Sequence, residues 1–600
     1  MDNYFDLHIH PVAKNHLARY SMEISSNGEK SNKDEVSKIK DIEEIIKALP
    51  MSKAFKDATD ENILRILESQ CCIDHLKEGK VQLGVAAIAA LEFGVASSKG
   101  FYSDLLKKNL KLPSLKLPFS KEYFDVVQEG KVSYLNLFLR EVEQYLALKQ
   151  SKTIAILNRE NVQDFNKKSL NLTFAIEGGH NLCMKKIGNA LQYDDFPITD
   201  KNNVIDPKSI ASKNPAMVLE NLVNKFRKIE LDILYLTLTH ITHIPEQHLA
   251  THAFATKLLK HPSLYPFGNG ITELGFEVID KAYSLEHLYN HDNSNKALKV
   301  PSPVLIDIAH MSLKSRLDLY KYRKDKGYNN IPLIASHVAV TGYSINDWKD
   351  NLDIKKSMNH VDQGIKTVKI STKPRTAGCL GSNEKNEFVF NPNTINLMDE
   401  DIIEVVNSEG IIGVSLDVRI LGYESSTMPQ NDTWEFITTS DFMIHFPYTS
   451  LQSIGYADAE EIRSEEAWLT PSKKEMHPLS FCFNIVHLLA VIGLKAMPKM
   501  SPEKYICVGS DFDGFIEPLK ICSDSRRMKD LESNLLRWLP VAAKRYQKEN
   551  GGTDDLFEFT KKKEDLKKVV NAILYENGRD FMAKEFAYKR VKKDKLQPAK

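Results

Sequence analysis

The chain has 600 residues and equal numbers of basic and acidic side chains, 80 of each. This balance argues against a nucleic acid or an anionic membrane as a partner recognised through bulk charge. A hydrophobic content of 42% is ample for a large core, and the length alone allows several domains. Seven scattered cysteines without a CxxC pair indicate free thiols in a reducing compartment.

Targeting signals are not evident in the sequence. The first residues carry neither a basic region nor a long apolar stretch, so no secretory signal is expected. The longest apolar run, 81–96, is interrupted by Gln82 and Glu92 and is too short to span a bilayer. We therefore expect a cytoplasmic protein that has no membrane and no nucleic-acid partner.

Short apolar runs bounded by polar or turn residues recur along the chain. They are YFDLHIH (4–10), VQLGVAAIAA (81–90), LTFAIEGGH (172–180), DILYLTLTH (232–240), VLIDIAH (304–310), IPLIASH (331–337), IIGVSLDV (411–418) and YICVGSDFDG (505–514). Segments with helical periodicity lie between them, at 134–150, 214–229 and 483–497. Apolar strands that alternate with amphipathic helices indicate a parallel sheet covered by helices.

The number of these units favours an α/β fold, a (β/α)8 TIM-type barrel with large inserted loops and helices. An open doubly wound sheet is the alternative. Such a sheet usually carries a glycine-rich dinucleotide loop after its first strand, and the sequence has none there.

The chain is far longer than the roughly 250 residues that a barrel needs. We assign the surplus to inserts at 25–65, 185–212, 344–392 and 421–476 and to a helical C-terminal extension at 523–600. The insert 421–476 is rich in aromatic residues and is interpreted as a packing layer or subunit contact, with a lid over the site as the alternative. One decorated barrel over 1–600 is therefore predicted.

Most of the apolar runs end in, or run into, a residue that can bind a metal or move a proton. These residues are His8, His10, Glu177, His240, His310, His337 and Asp511. In a barrel the C-terminal ends of all strands converge on one face, where the active sites of this fold lie. Residues hundreds of positions apart would then meet in one pocket.

The residue types in this set suit a pair of divalent metal ions. Imidazole and carboxylate bind zinc, and also manganese, cobalt or iron. His8 and His10 lie on the same side of a strand and can chelate one ion. Glu177 can bridge two ions, and His310 and His337 can complete the set of ligands around the second ion. Two ions, with zinc the expected metal, can hold a bridging hydroxide at neutral pH.

The hydroxide also needs a group that moves its proton, and Asp511 can act first as general base and then as general acid. Each residue taken alone has a structural alternative, because turns such as 177–179 and 509–514 are common without a function. It is improbable that all of these structural alternatives hold at once, because the residues concerned stand at the same end of successive strands. Four other histidines are interpreted as surface or loop residues: His16, His243, His248 and His252.

The ordered motifs resemble those of the membrane (renal) dipeptidase family within the amidohydrolase superfamily. The motifs are DLHIH (6–10), IEGGH (176–180), LTLTH (236–240), LIDIAHMS (305–312), PLIASH (332–337), GIIGVSL (410–416) and VGSDFDG (508–514). The connecting segments 266–280 and 483–493 are also similar, so the resemblance runs with gaps from about residue 4 to about residue 586.

This resemblance implies a two-zinc hydrolase that cleaves the peptide bond of dipeptides. It implies two metal sites that share one carboxylate: His8, His10 and Glu177 on one side, and Glu177, His310 and His337 on the other. His240 would polarise the scissile carbonyl and bind substrate, and Asp511 would handle the proton, with Asp513 the weaker candidate. A short-peptide or other small-molecule substrate and a homodimer are the partners that it implies.

Two departures from the family pattern concern the site. The family has His-x-Asp in strand one, whereas this chain has His8 and His10, and the lost negative charge would make the bridging water more acidic. The family also has an Arg-Asn pair after strand six whose arginine grips the substrate carboxylate, and here Ile395 precedes Asn396. Arg375 is a candidate substitute, and Asn396 stays a candidate substrate contact. A missing bidentate clamp would weaken binding strongly.

The predicted function is a metal-dependent hydrolase that cleaves dipeptides or related small amides. An enzyme of the same superfamily could instead act on a lactone, a cyclic amide or a phosphoester. A scaffold that holds metal without turnover is a third possibility. Replacing Asp511 by Asn separates enzyme from scaffold, because turnover should be lost while the metal content stays intact.

Overall fold

A computed structural model describes most of the chain. It covers residues 3–19, 68–99, 120–183, 205–290, 297–379, 387–424, 433–448, 451, 454–455, 478–496 and 501–587, except 131, 164, 245, 246, 258, 552 and 553. The predicted insert 25–65 lies outside the described residues, as do most of 185–212 and part of 421–476.

Eight parallel strands form the central barrel. They are β1 (Tyr4–Ile9), β2 (Val81–Ile88), β3 (Asn171–Glu177), β4 (Ile233–Thr237), β5 (Leu305–Asp307), β6 (Leu333–Val338), β7 (Ile411–Val414) and β8 (Ile506–Val508). Each strand pairs with the next in chain order. The short strand Ala155–Ile156 adds to β3 at the side.

The last strand returns to the first. A parallel bridge joins Ile9 to Phe512, His10 N donates to Phe512 O at 3.0 Å, and Asp511 N donates to His8 O at 3.0 Å. The predicted (β/α)8 fold is therefore confirmed, and an open doubly wound sheet is excluded. The same hydrogen bonds place the polar residues of the first and last motifs side by side.

The barrel strands are apolar along their length because both of their faces are covered. Every residue of β1 to β4 is buried. Several strands end earlier than the predicted runs, since the polar residues leave the ladder and enter the loops. His240 and His310, for example, follow the ends of β4 and β5.

The helices lie between the strands and after the last one. They are α1 (Ala13–Arg19), α2 (Ile73–Glu78), α3 (Phe93–Ala96), α4 (Lys121–Gln128), α5 (Tyr134–Gln150), α6 (Pro215–Lys228), α7 (Glu273–Ser284), α8 (Leu313–Lys326), α9 (Ile345–Asp350), α10 (Asp399–Asn407), α11 (Val418–Leu421), α12 (Thr439–His445), α13 (Pro478–Val491), α14 (Met528–Asn550), α15 (Lys563–Asn571) and α16 (Asn577–Phe581). Helix α5 matches the predicted segment 134–150, and the Ser133 side chain caps it by accepting from Asn136 N.

One helical segment of the described chain, Pro478–Ala496, is long and apolar enough to cross a membrane by length and composition. Its most apolar window is 72% buried inside the protein. Phe481, Ile485 and Leu489 on this segment belong to the main hydrophobic core. Such burial is typical of the core helix of a globular protein.

The seven cysteines all lie in the described part of the chain, and no disulfide joins any of them there. Cys482 packs in the main core, and Cys507 packs in a second cluster inside the strands. Both observations agree with the expected lack of a disulfide framework.

The inserted segments build small antiparallel sheets beside the barrel. One sheet contains Met358–Asp362, Ile365–Ser371 and Trp434–Thr438, another contains Thr376–Cys379, Glu387–Val389 and Tyr423–Glu424, and a hairpin joins Glu286–Asn290 to Ala297–Pro301. Trp434 and Phe436 pack on Phe254, with ring centroids 5.8 and 5.2 Å apart. Trp434 and Phe436 therefore favour the packing-layer interpretation, whereas Tyr448 of the same insert is fully exposed.

The C-terminal segment covers the end of the barrel opposite the polar motifs. The Asn577 side chain donates to the carbonyls of Glu503 and Ile506, both 2.7 Å away, where β8 begins. Phe581 packs with Phe5 of β1 in a buried cluster. These helices close the N-terminal ends of the strands, so the cavity forms at the C-terminal ends.

Candidate metal centre and active site

The side chains that the sequence singles out meet around Glu177, at the end of β3. Glu177 Oε1 lies 3.1 Å from His8 Nε2, 3.4 Å from His310 Nε2 and 3.6 Å from His337 Nε2. Its Oε2 lies 3.3 Å from His10 Nε2. One buried carboxylate, with 3% of its side chain exposed, therefore contacts imidazoles from three different strand ends.

Asp511 and His240 flank the same carboxylate. Asp511 Oδ1 lies 3.4 Å from His10 Nε2 and 3.8 Å from His8 Nε2. His240 Nε2 lies 3.8 Å from Glu177 Oε1. Two groups of donor atoms, each within 4.8 Å of one another, overlap here: His8, Glu177, His337 and Asp511, and Glu177, His240 and His310. The structure thus brings all seven predicted ligand and catalytic residues into one cluster, and six of them, all but His8, line the cavity.

Hydrogen bonds behind two of the imidazole rings orient their Nε2 lone pairs. The Tyr235 hydroxyl donates to a backbone carbonyl of β1 at 3.0 Å and accepts from His8 Nδ1–H at 2.8 Å. The Ser336 hydroxyl donates to Asp307 Oδ2 at 2.6 Å and accepts from His337 Nδ1–H at 2.7 Å. A ring that donates from Nδ1 keeps a lone pair on Nε2, which is the form that binds a metal.

Asp307, in the LIDIAH motif, holds this arrangement from behind. Its Oδ2 also accepts from Thr237 Oγ1 at 2.8 Å, and its Oδ1 accepts from the backbone N–H groups of Ala309 and Ser336 at 3.1 and 3.0 Å. Burial raises the pKa of Asp307, and the donor from Ser336 opposes that rise. Asp307 and its partner Ser336 were not among the predicted site residues, although an acid inside an apolar strand was a visible signal.

The donor set fits a pair of divalent ions. His310 Nε2 and His337 Nε2 are 2.8 Å apart, and His8 Nε2 and His10 Nε2 are 3.2 Å apart. Each pair of facing nitrogens can direct its lone pairs toward one cation, and the Glu177 carboxylate can serve both. Imidazole nitrogen and carboxylate oxygen are the ligands that zinc and manganese take in proteins.

Glu177 supplies a fixed negative charge among the rings of the site. Burial would raise the pKa of Glu177, but the rings of His8, His240 and His10 hold it well below its ordinary value. Burial likewise opposes protonation of His10, yet Glu177 and Asp511 raise the pKa of His10 to about 9. The pocket is therefore organised around a fixed negative charge that imidazole rings surround.

The carboxylate of Glu92 holds His240 in place. In the sequence, Glu92 was visible only as an interruption of the apolar run 81–96. His240 Nδ1–H donates to Glu92 Oε2 at 2.9 Å, and Glu92 Oε1 accepts from the N–H and hydroxyl of Thr242 at 3.1 and 2.9 Å. Burial opposes protonation of His240, but Glu92 and then Glu177 raise its pKa to about 9. Its Nε2–H is thus a charged donor in the pocket, which suits a developing oxyanion.

The VGSDFDG motif separates its two acids by an unusual backbone. Asp511, Asp513 and Phe515 have φ values of +63°, +70° and +60°, in the left-handed region that non-glycine residues rarely adopt. A Cβ at Gly514 would lie 2.0 Å from Asp511 Oδ1, so the turn requires glycine there. Asp513 points away and binds Lys14 Nζ at 2.8 Å. Asp511 alone of the two acids is close to the histidines.

A cavity of about 230 Å³ opens in front of these residues. Its wall is largely apolar and includes Leu91, Phe124, Ile241, Leu259, Ile395 and Phe515. Ile395 occupies the position at which the resembled family has arginine. Among the lining residues that the structure describes, Arg419 is the one arginine or lysine.

The structure does not bring the two candidate substrate contacts, Arg375 and Asn396, into the cavity. Arg375 Nε donates to Asn550 Oδ1 at 2.8 Å, its Nη1 donates to the Gly342 carbonyl, and it does not line the cavity wall. The buried Asn396 side chain donates to backbone carbonyls, including that of Ile420 at 2.8 Å. Both side chains support neighbouring backbone segments.

Arg419, which the sequence did not suggest, reaches the cavity from α11, directly after β7. Its Nε donates to both carboxylate oxygens of Asp417 at 2.9 Å, and its Nη2 donates to Asp417 Oδ2 at 2.5 Å and to the Phe515 carbonyl at 3.1 Å. The signal available in the sequence was a single arginine within the apolar segment 418–421 that follows a barrel strand. The resemblance directed attention to strand six instead.

The interpretation of four histidines as surface or loop residues is wrong for His16 and incomplete for His252. His16 lies in α1, is buried and lines the cavity, and its Nδ1 accepts from Gln144 Nε2 at 2.9 Å. His252 lies in a loop but is fully buried. His243 and His248 are half-buried in the same loop region after β4.

Family models and curated proteins give no match to this chain. Solved structures do match. A dipeptidase of the metallopeptidase class is 12% identical, with 97% of this chain and 98% of that chain covered and a TM-score of 0.40. A metallopeptidase from Rhodobacter sphaeroides, liganded with a phosphinate mimic of the dipeptide L-Ala-D-Ala, is 12% identical, with 87% and 96% covered and a TM-score of 0.39. A probable dipeptidase from Pseudomonas aeruginosa is 10% identical, with 84% and 90% covered and a TM-score of 0.39.

Proposed function

We propose that this chain is a metal-dependent hydrolase of the membrane dipeptidase family that cleaves dipeptides or related small amides. The observation that carries the proposal is the convergence of histidines and acids from separate strand ends on Glu177, in a closed barrel. A structural role for each of these residues would not require them to meet at one cavity.

The metal ligands divide into two sets that share one carboxylate: His8, His10 and Glu177, and Glu177, His310 and His337. Zinc is the expected metal at both positions. When bound, such ions lower the pKa of water and polarise a carbonyl group. The hydrogen bonds of Tyr235 and Ser336 support this assignment, because they leave Nε2 lone pairs directed at the shared carboxylate.

Asp511 and His240 handle the proton and the carbonyl oxygen. Asp511 takes a proton from the attacking water and returns it to the leaving nitrogen. Its side chain is 15% exposed beside the histidines, whereas that of Asp513 is 1% exposed and paired with Lys14. The charged His240 Nε2–H donates to the carbonyl oxygen as negative charge develops on it, and Glu92 fixes the ring for that task.

The cavity wall suggests which groups of the substrate are recognised. Its apolar residues suit a substrate with apolar side chains. Arg419 supplies the positive charge that a free carboxylate needs, and Asp417 holds the guanidinium plane in position. Arg419 thus takes the role for which the sequence offered Arg375.

A second candidate function is hydrolysis of an amide or lactone that has no free carboxylate. The apolar Ile395 at the cavity wall favours this candidate, because it stands where an arginine clamp would be expected. Substrates with and without a carboxylate separate the two candidates.

The experiment uses the full chain loaded with zinc or manganese and a panel of dipeptides, N-acyl amino acids and lactones. Asp511→Asn should lower turnover by on the order of 100-fold or more while the bound metal stays unchanged. Asp325→Asn is the matched control, since its side chain is 55% exposed on the helix surface. Equal activity of Asp511→Asn and Asp325→Asn would overturn the proposed role.

A further inference from the structure

We infer that Glu141 forms a subsite for a positively charged group of the substrate, its free amino group. The inference rests on the proposed function. It adds that the site recognises the amino end of the substrate as well as its carboxylate. Glu141 belongs to neither set of proposed metal ligands and has no part in the proton transfer.

Glu141 is an acid in a place where the helix pattern calls for an apolar residue. It lies on α5, whose residues Phe138, Val142 and Tyr145 pack in the main core. Glu141 is 2% exposed and lines the cavity together with His10 and Glu177. A carboxyl group at this position is costly to bury unless it meets a partner.

The described part of the protein offers no hydrogen-bond partner for Glu141 Oε1. Buried polar atoms in folded proteins nearly always have one, and leaving a buried acceptor unpaired destabilises the fold. An orphaned carboxyl oxygen on a cavity wall therefore indicates that a donor arrives from the cavity.

A peptide amino group has the required chemistry. It carries a positive charge and three N–H donors, and it is bonded to the carbon next to the scissile carbonyl. With that carbonyl at His240, an amino group can reach toward the wall beside His10, where Glu141 stands in the electrostatic neighbourhood of His10. Arg419 is the electrostatic neighbour of Asp511 instead. The two charged wall residues thus mark different ends of a dipolar substrate.

A site of this kind selects against blocked amino groups. An N-acetylated peptide has no charge at its amino end and would leave the Glu141 carboxylate buried without a partner. Sites built to bind a polar group reject an analogue that lacks it much more strongly than apolar pockets reject a change in size. We therefore expect free dipeptides to be preferred over their N-acetylated forms.

The experiment compares each dipeptide with its N-acetylated form in the metal-loaded full chain. The readout is the ratio of their kcat/KM values, together with the affinity of each peptide measured by calorimetry. Glu141→Gln should lower the ratio by about tenfold or more, through KM rather than kcat. Glu564→Gln, an exposed change on α15, is the matched control. Glu141→Asp keeps the charge and should keep most of the preference.

The outcomes separate this inference from the proposed function. If the wild type cleaves no amide but binds free dipeptides more tightly than acetylated ones, and Glu141→Gln removes that difference, the subsite stands and the proposed function falls. If dipeptides are cleaved and Glu141→Gln leaves the ratio unchanged, the inference is overturned. Equal losses on both peptides would also overturn it, because they indicate a structural role. If the Glu141→Gln protein fails to fold, Glu141→Asp and calorimetry of the wild type provide the test. A wild type that does not prefer the free amine contradicts the inference.

Discussion

His310 Nε2 lies 2.8 Å from His337 Nε2, close enough for one proton to be shared between the two rings. His337 donates from Nδ1 to Ser336, so its Nε2 carries the lone pair and the shared proton would come from His310. A cation bound by both rings would need both Nε2 lone pairs, so the proton of His310 would have to move to Nδ1, which has no hydrogen-bond partner among the described residues. A neutral imidazole can make this change of tautomer without a change of charge.

Zinc should stabilise the folded chain, because the ligands come from strand ends that separate on unfolding. A ligand at 100 times its dissociation constant adds about 2.7 kcal/mol to the free energy of unfolding. We expect a higher melting temperature with zinc than with chelator, and a much smaller difference for His337→Ala. Differential scanning calorimetry makes the comparison. A melting temperature that does not respond to zinc in the wild type would contradict metal binding at this site.

Tyr235→Phe should weaken metal binding without changing the fold. The change removes the hydroxyl that accepts from His8 Nδ1–H and keeps the ring, so His8 loses its orientation but no cavity forms. Loss of such a partner typically costs 10–100-fold in metal affinity. Tyr145→Phe is the control, since it removes a buried tyrosine hydroxyl that binds none of the proposed metal ligands. Competition with a fluorescent chelator measures both affinities, and equal values would refute the orienting role.

Arg419→Met should impair substrates that have a free carboxylate. The guanidinium supplies a charge-assisted contact that methionine cannot make, so KM should rise by about tenfold for dipeptides and little for the corresponding dipeptide amides. Arg375→Met is the comparison variant, because Arg375 binds Asn550 and does not line the cavity. Steady-state kinetics on paired substrates test this. A larger KM effect in Arg375→Met would restore the assignment suggested by the sequence.

Glu435 should make the free energy of unfolding depend on pH. Burial raises its pKa from 4.5 to about 7, although hydrogen bonds from Thr394 oppose the rise. Between these two values the unfolded chain releases a proton that the folded chain keeps, so stability falls as pH increases from 4.5 to about 7. The loss is up to roughly 3 kcal/mol. Denaturant unfolding of Glu435→Gln should show a flatter pH dependence than the wild type, and an unchanged slope would contradict this.

The barrel and its ligand cluster could be predicted because both depend on local sequence pattern. Each strand is a short apolar run, and parallel strands bring their C-terminal ends to one face. His8 and Asp511 therefore had to be neighbours once the strand order was known. The helix over 134–150 was equally visible, since its periodicity and its Ser133 cap are local.

The supporting residues could not be predicted in the same way, because they act across long sequence separations. Glu92 binds His240, and Tyr235 binds His8, through contacts that only the folded barrel creates. Arg375 looked available because nothing in the sequence showed that Asn550 would bind it. The burial of a side chain also depends on the fold. Glu141 is unusual because it is buried, and the sequence alone does not show this.

Metal content measured beside hydrolysis tests the central claim most directly. The full chain would be analysed for bound zinc and manganese and assayed with dipeptides before chelation, after chelation and after metal is returned. The account predicts two ions per chain and hydrolysis that disappears with chelation and returns with the metal. Hydrolysis that persists without metal, or a chain that holds two ions and cleaves no amide or ester, would contradict it.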